Sequence, residues 1–487
     1  MTKKLINFYN NLSNRIRINL LIFFIVFLQI LIFFFLNHNN SFAAISLTDG
    51  DAFSYYYYNF SNLENFLSQY RSFGGPVIVS IYKFFSNDLQ FWGQSNFLFF
   101  SISLIILFYS LIYFEVRKYF SFFFVIGILG STKLWWYFTS WSEVLSVSFI
   151  ILSFSFYLLS HKFKSVYLYI IFSFLLFFTY QIRPLFITYI ITFIIFEIYL
   201  IKFREKQKLN FKNLKLVYFI ITPLIIFLFF RFIITGHFGI APYMGAHVGA
   251  HGLFFLDKES IVNVSKKNEK FASDILKRKL KQNYPCNLNF NELQKLNENH
   301  YPKCYAVNTM SLMLEMIKYK ESKEPFANND PRNFNSWQYV TTLDKFFMSV
   351  ENYNKIDQEL KSFSFEIIKP ELVNFTKIFL SNIKDSYKIQ ILSNKKLIYL
   401  YSIIILIIST FMIFSKNLKN RFTQKLFFKN NELLMFFLIS NLITIVLLSL
   451  IHMPKIRIMS VQGIFFIPVI FSYAISIIID NFIEEEN

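Results

Sequence analysis

Two carboxylates stand where the chain leaves its first strongly apolar run. Asp49 and Asp51 lie two residues apart, and the run before them covers residues 19–36. A run of that length matches a membrane span, so we expect both aspartates at a membrane surface. There a carboxylate could act as a general base on an acceptor hydroxyl or bind a cation. It could also simply cap a helix in a solvated loop, because Asp is a favoured N-cap residue.

Basic side chains recur on the side of the membrane where the aspartates are expected. These are Arg71, Lys133, Arg183, Lys455 and Arg457, with His452 close to the last two. The guanidinium group is planar, permanently charged and bidentate, which suits phosphate. Gathered at one outer cavity, these residues would bind the phosphate of an anionic lipid. Taken singly, each would serve equally well as an anchor at the end of a span.

Glu143 is a further candidate, at the head of an apolar run in the sequence FTSWSEVL. It could be a second catalytic carboxylate, the ion-pair partner of Lys133, or a charge that stabilises a helix N-terminus. His247 and His251 have the spacing of metal ligands on a helix. Because Gly249 and Gly252 disfavour a helix, and no cysteine is near, no metal site is predicted.

Composition indicates a membrane protein. Of the 487 residues, 54% are hydrophobic, and the formal net charge is +19. The positive charge lies mainly in short loops beside apolar runs, which is the pattern that sets membrane topology. It therefore predicts no nucleic-acid partner. The sequence also lacks a P-loop, a GxGxxG after a strand and a lipase-type GxSxG, which excludes the corresponding enzyme classes.

The apolar runs predict an all-α polytopic protein of about ten spans. They cover residues 19–36, 97–114, 119–138, 144–159, 166–180, 185–201, 216–235, 397–414, 433–451 and 459–479. With a cytoplasmic N-terminus, most basic loops fall inside, as expected for a protein of the cytoplasmic membrane. No internal repeat is visible, which counts against a transporter built from repeated halves.

Three parts follow from this pattern. Residues 1–235 form an N-terminal membrane domain, whose first outer loop, 37–96, holds an interfacial helix over 53–70 before a turn at Gly74, Gly75 and Pro76. Residues 236–396 form a large, mostly helical extracytoplasmic segment, and residues 397–487 form the C-terminal membrane helices. The only cysteines, Cys286 and Cys304, lie in the outer segment, where a disulfide is permitted and two thiols are the alternative.

Several short motifs resemble, in their order, the lipid-linked-sugar-dependent glycosyltransferases of the GT-C fold, such as the protein mannosyltransferase and aminoarabinose transferase group. Gly50-Asp51-Ala52 with Tyr55 is similar to the acidic signature of their first outer loop, and Tyr70-Arg71 to Pro76 is similar to its closing motif, with Phe73 in place of a common proline. Ser142-Glu143 resembles a later TE pair, and Arg183-Pro184 an RP pair. Lys455 to Ile458, running into Pro468, resembles the RY…P pattern, with Ile458 in place of tyrosine. The resemblance covers roughly the first 190 and the last 40 residues.

This resemblance implies a function. Such an enzyme transfers a sugar from a polyprenyl phosphate to a glycan, lipid or protein acceptor outside the cytoplasmic membrane, usually with inversion. Asp51 would be the base, with Asp49 as the alternative, and Arg71, Arg183, Lys455 and Arg457 would surround the lipid phosphate. Some members need a divalent metal ion and others do not, so the cofactor is left open.

Three other classes remain as alternatives. A lipid-linked oligosaccharide flippase or other transporter would need charges deep within its spans, and these spans hold few. A polysaccharide polymerase or ligase would depend on Arg457 and His452 and would not need Asp51. The third is a non-catalytic assembly or sensor protein.

Overall fold

The structure is a computed structural model that describes residues 14–39, 42, 54–68, 72–131, 142–204, 214–236, 238–239, 244–280, 300–321, 353–414, 428–451 and 463–483. All regular structure in these residues is helical. Up to residue 235 the helices are α1 (Asn14–His38), α2 (Leu63–Ser68), α3 (Gly74–Phe85), α4 (Leu89–Tyr113), α5 (Lys118–Leu129), α6 (Ser142–Phe163), α7 (Val166–Ile182), α8 (Ile187–Tyr199) and α9 (Lys215–Thr235).

The remaining helices form an outer unit and a C-terminal membrane part. The outer unit contains α10 (Met244–Gly252), α11 (Lys266–Leu280), α12 (His300–Glu321) and α13 (Tyr353–Ile368). It is followed by α14 (Leu372–Ser393), α15 (Lys395–Phe414), α16 (Phe428–Ile451) and α17 (Phe466–Ile483). The described part of the segment 236–396, which is predicted to be mostly helical, contains α10 to α14.

Among the described residues, six helices are long and apolar enough to cross a membrane: α1, α4, α6, α9, α16 and the stretch Pro184–Phe203 that contains α8. A seventh span results if the bent pair Lys355–Ser393 and Lys395–Thr410, which contains α14 and most of α15 and is bent by 62°, is counted as one span. Four shorter apolar helices, α3, α5, α7 and α17, accompany them. The prediction of an all-α membrane protein is confirmed at this level, whereas the number of ten spans and the orientation stay predictions.

Helix α6 is the most enclosed of the long apolar helices, because 83% of an apolar stretch of 18 of its residues is buried. Its buried face is rich in serine, a small residue that allows neighbouring helices to approach closely. The hydroxyls satisfy themselves locally: Ser146 donates to the carbonyl of Ser142 at 2.7 Å, and Ser148 donates to that of Val144 at 2.8 Å. Helices α4 and α7 pack on this helix, so α6 forms the centre of the membrane part.

The first outer loop differs from the predicted single interfacial helix over 53–70. Residues 54–56 form one turn, residues 58–60 are not helical, and α2 begins at Leu63. Asn59 explains part of the break, because its side chain accepts the backbone N–H of Ser61 at 2.8 Å and so competes with helix formation. The predicted turn at Gly74 instead begins α3, whose first turn tolerates Pro76.

The expectation that Gly249 and Gly252 disfavour a helix there is wrong. Both lie in α10, where together with Gly245 they are on the side that faces α13. A Cβ atom on Gly245 would lie 2.6 Å from the carbonyl oxygen of Asp357, and one on Gly249 would lie 2.4 Å from Oγ of Ser364. The two helices are therefore in near backbone contact, and the packing outweighs the low helix propensity of glycine.

We predict that Gly245→Ala destabilises the outer unit by roughly 1–3 kcal/mol, the usual cost of overpacking. The added methyl group would meet backbone atoms of Asp357 and Lys361 at 2.6 Å and Cβ of Leu360 at 2.8 Å, so the loss exceeds the gain in helix propensity. Thermal unfolding of the full-length protein in detergent measures the effect, with Lys277→Ala on the exposed face of α11 as the control. An unchanged transition in Gly245→Ala would contradict the close approach of α10 and α13.

Candidate functional site

The structure describes three of the residues that the sequence analysis selected for chemistry or for a disulfide: Glu143, Arg183 and Cys304. The others lie outside the described residues: Asp49, Asp51, Arg71, Lys133, Cys286, His452, Lys455 and Arg457. The roles predicted for this second group stay predictions. The described candidate site consists of Glu143, Arg183 and their neighbours.

Glu143 and Arg183 form an ion pair in which the carboxylate is buried and the guanidinium group is partly exposed. Nη1 of Arg183 lies 2.7 Å from Oε1 of Glu143, and the two side chains are 15% and 1% exposed. Glu143 is in the first turn of α6, and Arg183 is the residue between α7 and a short 3₁₀ turn, Pro184–Phe186. Proline disfavours the α conformation of the residue before it, and Arg183 is extended, with φ −148° and ψ 106°. The Arg-Pro step thus ends α7 just before Arg183, and the side chain of Arg183 contacts Glu143 on α6.

Ser142 connects this ion pair to the first outer loop. Its Oγ accepts a hydrogen bond of 3.1 Å from Nη1 of Arg183 and another of 2.9 Å from the phenol of Tyr55. Ser142 and Tyr55 are both buried. Three segments far apart in sequence therefore meet at one hydroxyl: the loop after α1, the head of α6 and the turn after α7.

Gly74 allows the first outer loop to pack closely against the end of α7, next to Arg183. A Cβ atom on Gly74 would lie 2.6 Å from the backbone of Gln181 and Ile182, the last two residues of α7. The neighbouring Gly75 is less confined, since a Cβ atom there would be 3.4 Å from the ring of Tyr55. The start of α3 therefore fixes the distance between the loop and Arg183.

A pocket opens beside Ser142, between α3, α4 and Tyr55. It is lined by Tyr55, Gly75, Val79, Tyr82, Trp92, Asn96, Ser142 and Leu145. Its walls are held by hydrogen bonds, because the phenol of Tyr82 donates to Oδ1 of Asn96 at 2.8 Å and the indole of Trp92 donates to the carbonyl of Ser86 at 3.0 Å. The cavity volume is about 10 Å³, room for roughly one water molecule, so these walls are packed closely around Ser142.

The contacts that Arg183 makes within the described residues leave part of its fork available. Both its bond to Glu143 and its bond to Ser142 come from Nη1. Nη2 and Nε can therefore bind a ligand while Nη1 holds the side chain in place. A fixed, partly exposed guanidinium group of this kind suits an anionic oxygen, because its orientation is set before the ligand binds.

Arg231 is a residue that the sequence analysis missed. It lies near the end of α9, is 4% exposed, and donates through Nε to the carbonyl of Leu67 at 3.2 Å and through Nη1 to that of Gly239 at 2.9 Å. It thus joins α2 in the first outer loop to the chain that leaves α9. A signal was present in the sequence, since an arginine in an otherwise apolar span is costly without such partners.

The histidines of α10 face α12 instead of forming a metal site. Nδ1 of His247 lies 2.8 Å from the phenol of Tyr305, which itself donates to the carbonyl of Ile451 at 3.3 Å. Burial lowers the pKa of His251 to about 3, so this imidazole is neutral. Among the described residues no group of three or more His, Cys, Asp or Glu could hold a metal ion.

Cys304, beside Tyr305, is disulfide-bonded. The chain has one other cysteine, Cys286, which is outside the described part.

Comparisons with known proteins give no assignment: no family model, no curated protein and no solved structure matches the chain.

The two glycines provide a matched pair of substitutions. We predict that Gly74→Ala lowers the thermal unfolding midpoint of the detergent-solubilised protein, because the methyl group would meet the backbone of α7 at 2.6 Å. Gly75→Ala should be tolerated, because its methyl group meets an aromatic side chain at ordinary van der Waals distance. Equal midpoints in the two variants would contradict the close packing of α3 on α7.

A second pair of substitutions tests the ion pair. Glu143→Gln is expected to cost about 3–5 kcal/mol of stability, because it leaves the largely buried charge of Arg183 without its carboxylate. Glu115→Gln is the control, since Glu115 pairs with Lys162 at the surface and an exposed pair contributes about 0–1 kcal/mol. Chemical unfolding of both variants gives the comparison, and similar losses would show that the Glu143–Arg183 pair is not the stronger constraint.

Proposed function

We propose that the chain is a membrane glycosyltransferase that transfers a sugar from a polyprenyl phosphate to an acceptor hydroxyl outside the cytoplasmic membrane. One observation carries the proposal. Three of the five segments that resemble the GT-C family, represented by Tyr55, Ser142-Glu143 and Arg183, meet through direct hydrogen bonds and an ion pair. Unrelated matches scattered along 487 residues have no reason to converge on one hydroxyl.

The proposed chemistry assigns a role to each group. The carboxylate of Asp51 takes the proton of the acceptor hydroxyl, and the hydroxyl oxygen forms the new bond to the anomeric carbon. The bond between that carbon and the phosphate oxygen breaks, and the electron pair leaves with the polyprenyl phosphate. The configuration inverts because the acceptor attacks from the opposite face. Asp49 is the alternative base.

Arg183 is the proposed ligand of the leaving phosphate, through Nη2 and Nε. Stabilising charge that develops on a leaving group is a major source of catalysis, and a side chain already held in place does this without reorganising. Arg71, Lys133, Lys455 and Arg457 are proposed to add positive charge around the same phosphate, with His452 beside them. The metal requirement stays open.

The role first expected for Glu143, a second catalytic carboxylate, changes in this proposal. Its side chain is 1% exposed and pairs with Arg183, so it is poorly placed to reach an acceptor. Glu143 is better described as the residue that orients Arg183. Ser142 and Tyr55 share that task, because Ser142 binds the same nitrogen of Arg183 as Glu143 does.

The decisive substitution is Asp51→Asn, which removes the base and changes the size of the side chain little. Loss of a general base typically costs 10²–10⁴-fold, so we expect sugar transfer to fall by at least about 100-fold. The assay follows label from a panel of polyprenyl-phosphate sugars into membrane acceptors of cells that lack the native protein. Asp88→Asn serves as control, since Asp88 caps α4 through Gln90 and asparagine caps equally well.

Two results would decide against this function. If Asp51→Asn is expressed and unfolds normally and still transfers sugar at the full rate, Asp51 is not the base. If Arg457→Ala and His452→Ala abolished glycan assembly at the same time, a polymerase or ligase would be the better description.

A further inference from the structure

Helix α14 has its polarity reversed relative to a helix on a water-soluble domain. Its buried positions include Asn382, Ser386 and Gln390, which recur every four residues. Its exposed positions include Leu372, Val373, Leu380, Ile391 and Leu392, and Val373 is 72% exposed. In water the apolar face of a surface helix turns inward, so this arrangement indicates that the surroundings of α14 are apolar.

The buried amides of α14 pair with α16, which is long and apolar enough to be a span. Nδ2 of Asn382 donates to the carbonyl of Ser449 at 3.3 Å, and Nε2 of Gln390 donates to Oδ1 of Asn441 at 2.8 Å. Hydrogen bonds between polar side chains and small residues are the contacts that hold helices together inside membranes.

The same two bonds give the direction and extent of the contact. Asn382 and Gln390 are eight residues apart, and so are their partners Ser449 and Asn441 in the reverse order. The helices are therefore antiparallel, and the contact covers about 12 Å at 1.5 Å per residue. Helix α14 consequently follows α16 from its C-terminal end towards its middle, and does not stand apart in the outer unit.

The continuation of the chain supports a membrane location. Helix α15 follows after a bend of 62°. The bent pair Lys355–Ser393 and Lys395–Thr410, which contains α14 and most of α15, is apolar enough for a broken span or a re-entrant loop. Helix α15 exposes Tyr399, Ile403 and Leu406, so the apolar surface continues past the bend.

Lysines share the exposed side of α14 with its apolar residues. Lys377, Lys384 and Lys388 are exposed at spacings of seven and four residues, which lie on one side of a helix. A lysine can bury its aliphatic stem while its ammonium group reaches the headgroup layer. Basic residues at such a surface are attracted to anionic lipids.

We propose that the outward face of α14 is a lipid-binding surface seated in the outer leaflet. Leu380, Ile391 and Leu392 contact acyl chains, and the lysines nearest the start of the helix, Lys377 and Lys384, bind the phosphates of anionic phospholipids. This surface moves the end of the extracytoplasmic segment from residue 396 to about the start of α14. It is independent of the proposed glycosyltransferase activity.

The apolar part of the proposal is tested with an environment-sensitive fluorophore on Leu380→Cys or Leu392→Cys of the full-length protein in nanodiscs. We expect blue-shifted emission, quenching by doxyl-labelled lipid and little quenching by aqueous iodide. Lys277→Cys on α11 is the control and should show the opposite pattern. If both α14 positions behave like residue 277, the face is in water and the proposal is wrong.

The headgroup part is tested by lipid charge. In nanodiscs with phosphatidylglycerol the wild type should unfold several degrees higher than in phosphatidylcholine alone, and K377Q/K384Q should lose most of that difference. The control is K266Q/K270Q, two exposed lysines of the outer unit. If the wild type shows no difference between the lipids, or both double variants lose it equally, α14 does not bind anionic headgroups.

Discussion

The Glu143–Arg183 ion pair is the interaction on which the arrangement of the candidate site depends. A charge buried beside apolar helices is costly, and removal of either partner leaves the other unpaired. The head of α6 and the end of α7 are therefore fixed relative to each other, and Ser142 extends the same constraint to Tyr55. Such a pair need not add to net stability. Its effect is geometric, because it holds Nη1 of Arg183 in place and so fixes the orientation of Nη2 and Nε.

The surrounding helices are adapted to this pair by their small residues. Serines on α6 allow α4 and α7 to approach it, and their hydroxyls bond within the helix, so the close packing leaves few polar groups unsatisfied. Gly74 has the corresponding role between α3 and the end of α7. In the outer unit Gly245 and Gly249 do the same between α10 and α13. Close backbone approach at small residues is thus the common way in which this Phe-rich chain brings its segments together.

These contacts also explain how far the sequence could predict the structure. Apolar runs predict the membrane class because span length is a property of local sequence, and the Arg-Pro step marks the end of α7 because proline acts on its neighbour. The pairing of Glu143 with Arg183 could not be chosen over Lys133, since it depends on how α6 packs against α7. The helix at 244–252 was missed because glycine was judged by its propensity, while its contact with α13 decides. The interfacial helix was misplaced because the apolar stripe of 53–70 is interrupted by Asn59, whose local hydrogen bond outweighs the periodicity.

Arg231 connects the membrane part to the outer unit. Its guanidinium group donates hydrogen bonds to the carbonyls of Leu67, in the first outer loop, and of Gly239, in the segment that leads to α10. Asp357, at the start of α13, is buried, and burial raises its pKa, while the charges of Lys361 and Arg231 and the N–H of Gly245 act in the opposite direction. Arg231 is therefore within electrostatic reach of α13 as well as being hydrogen-bonded to α2. One buried guanidinium group thus contacts both the first outer loop and the chain that leads into the outer unit, two regions that are far apart in sequence.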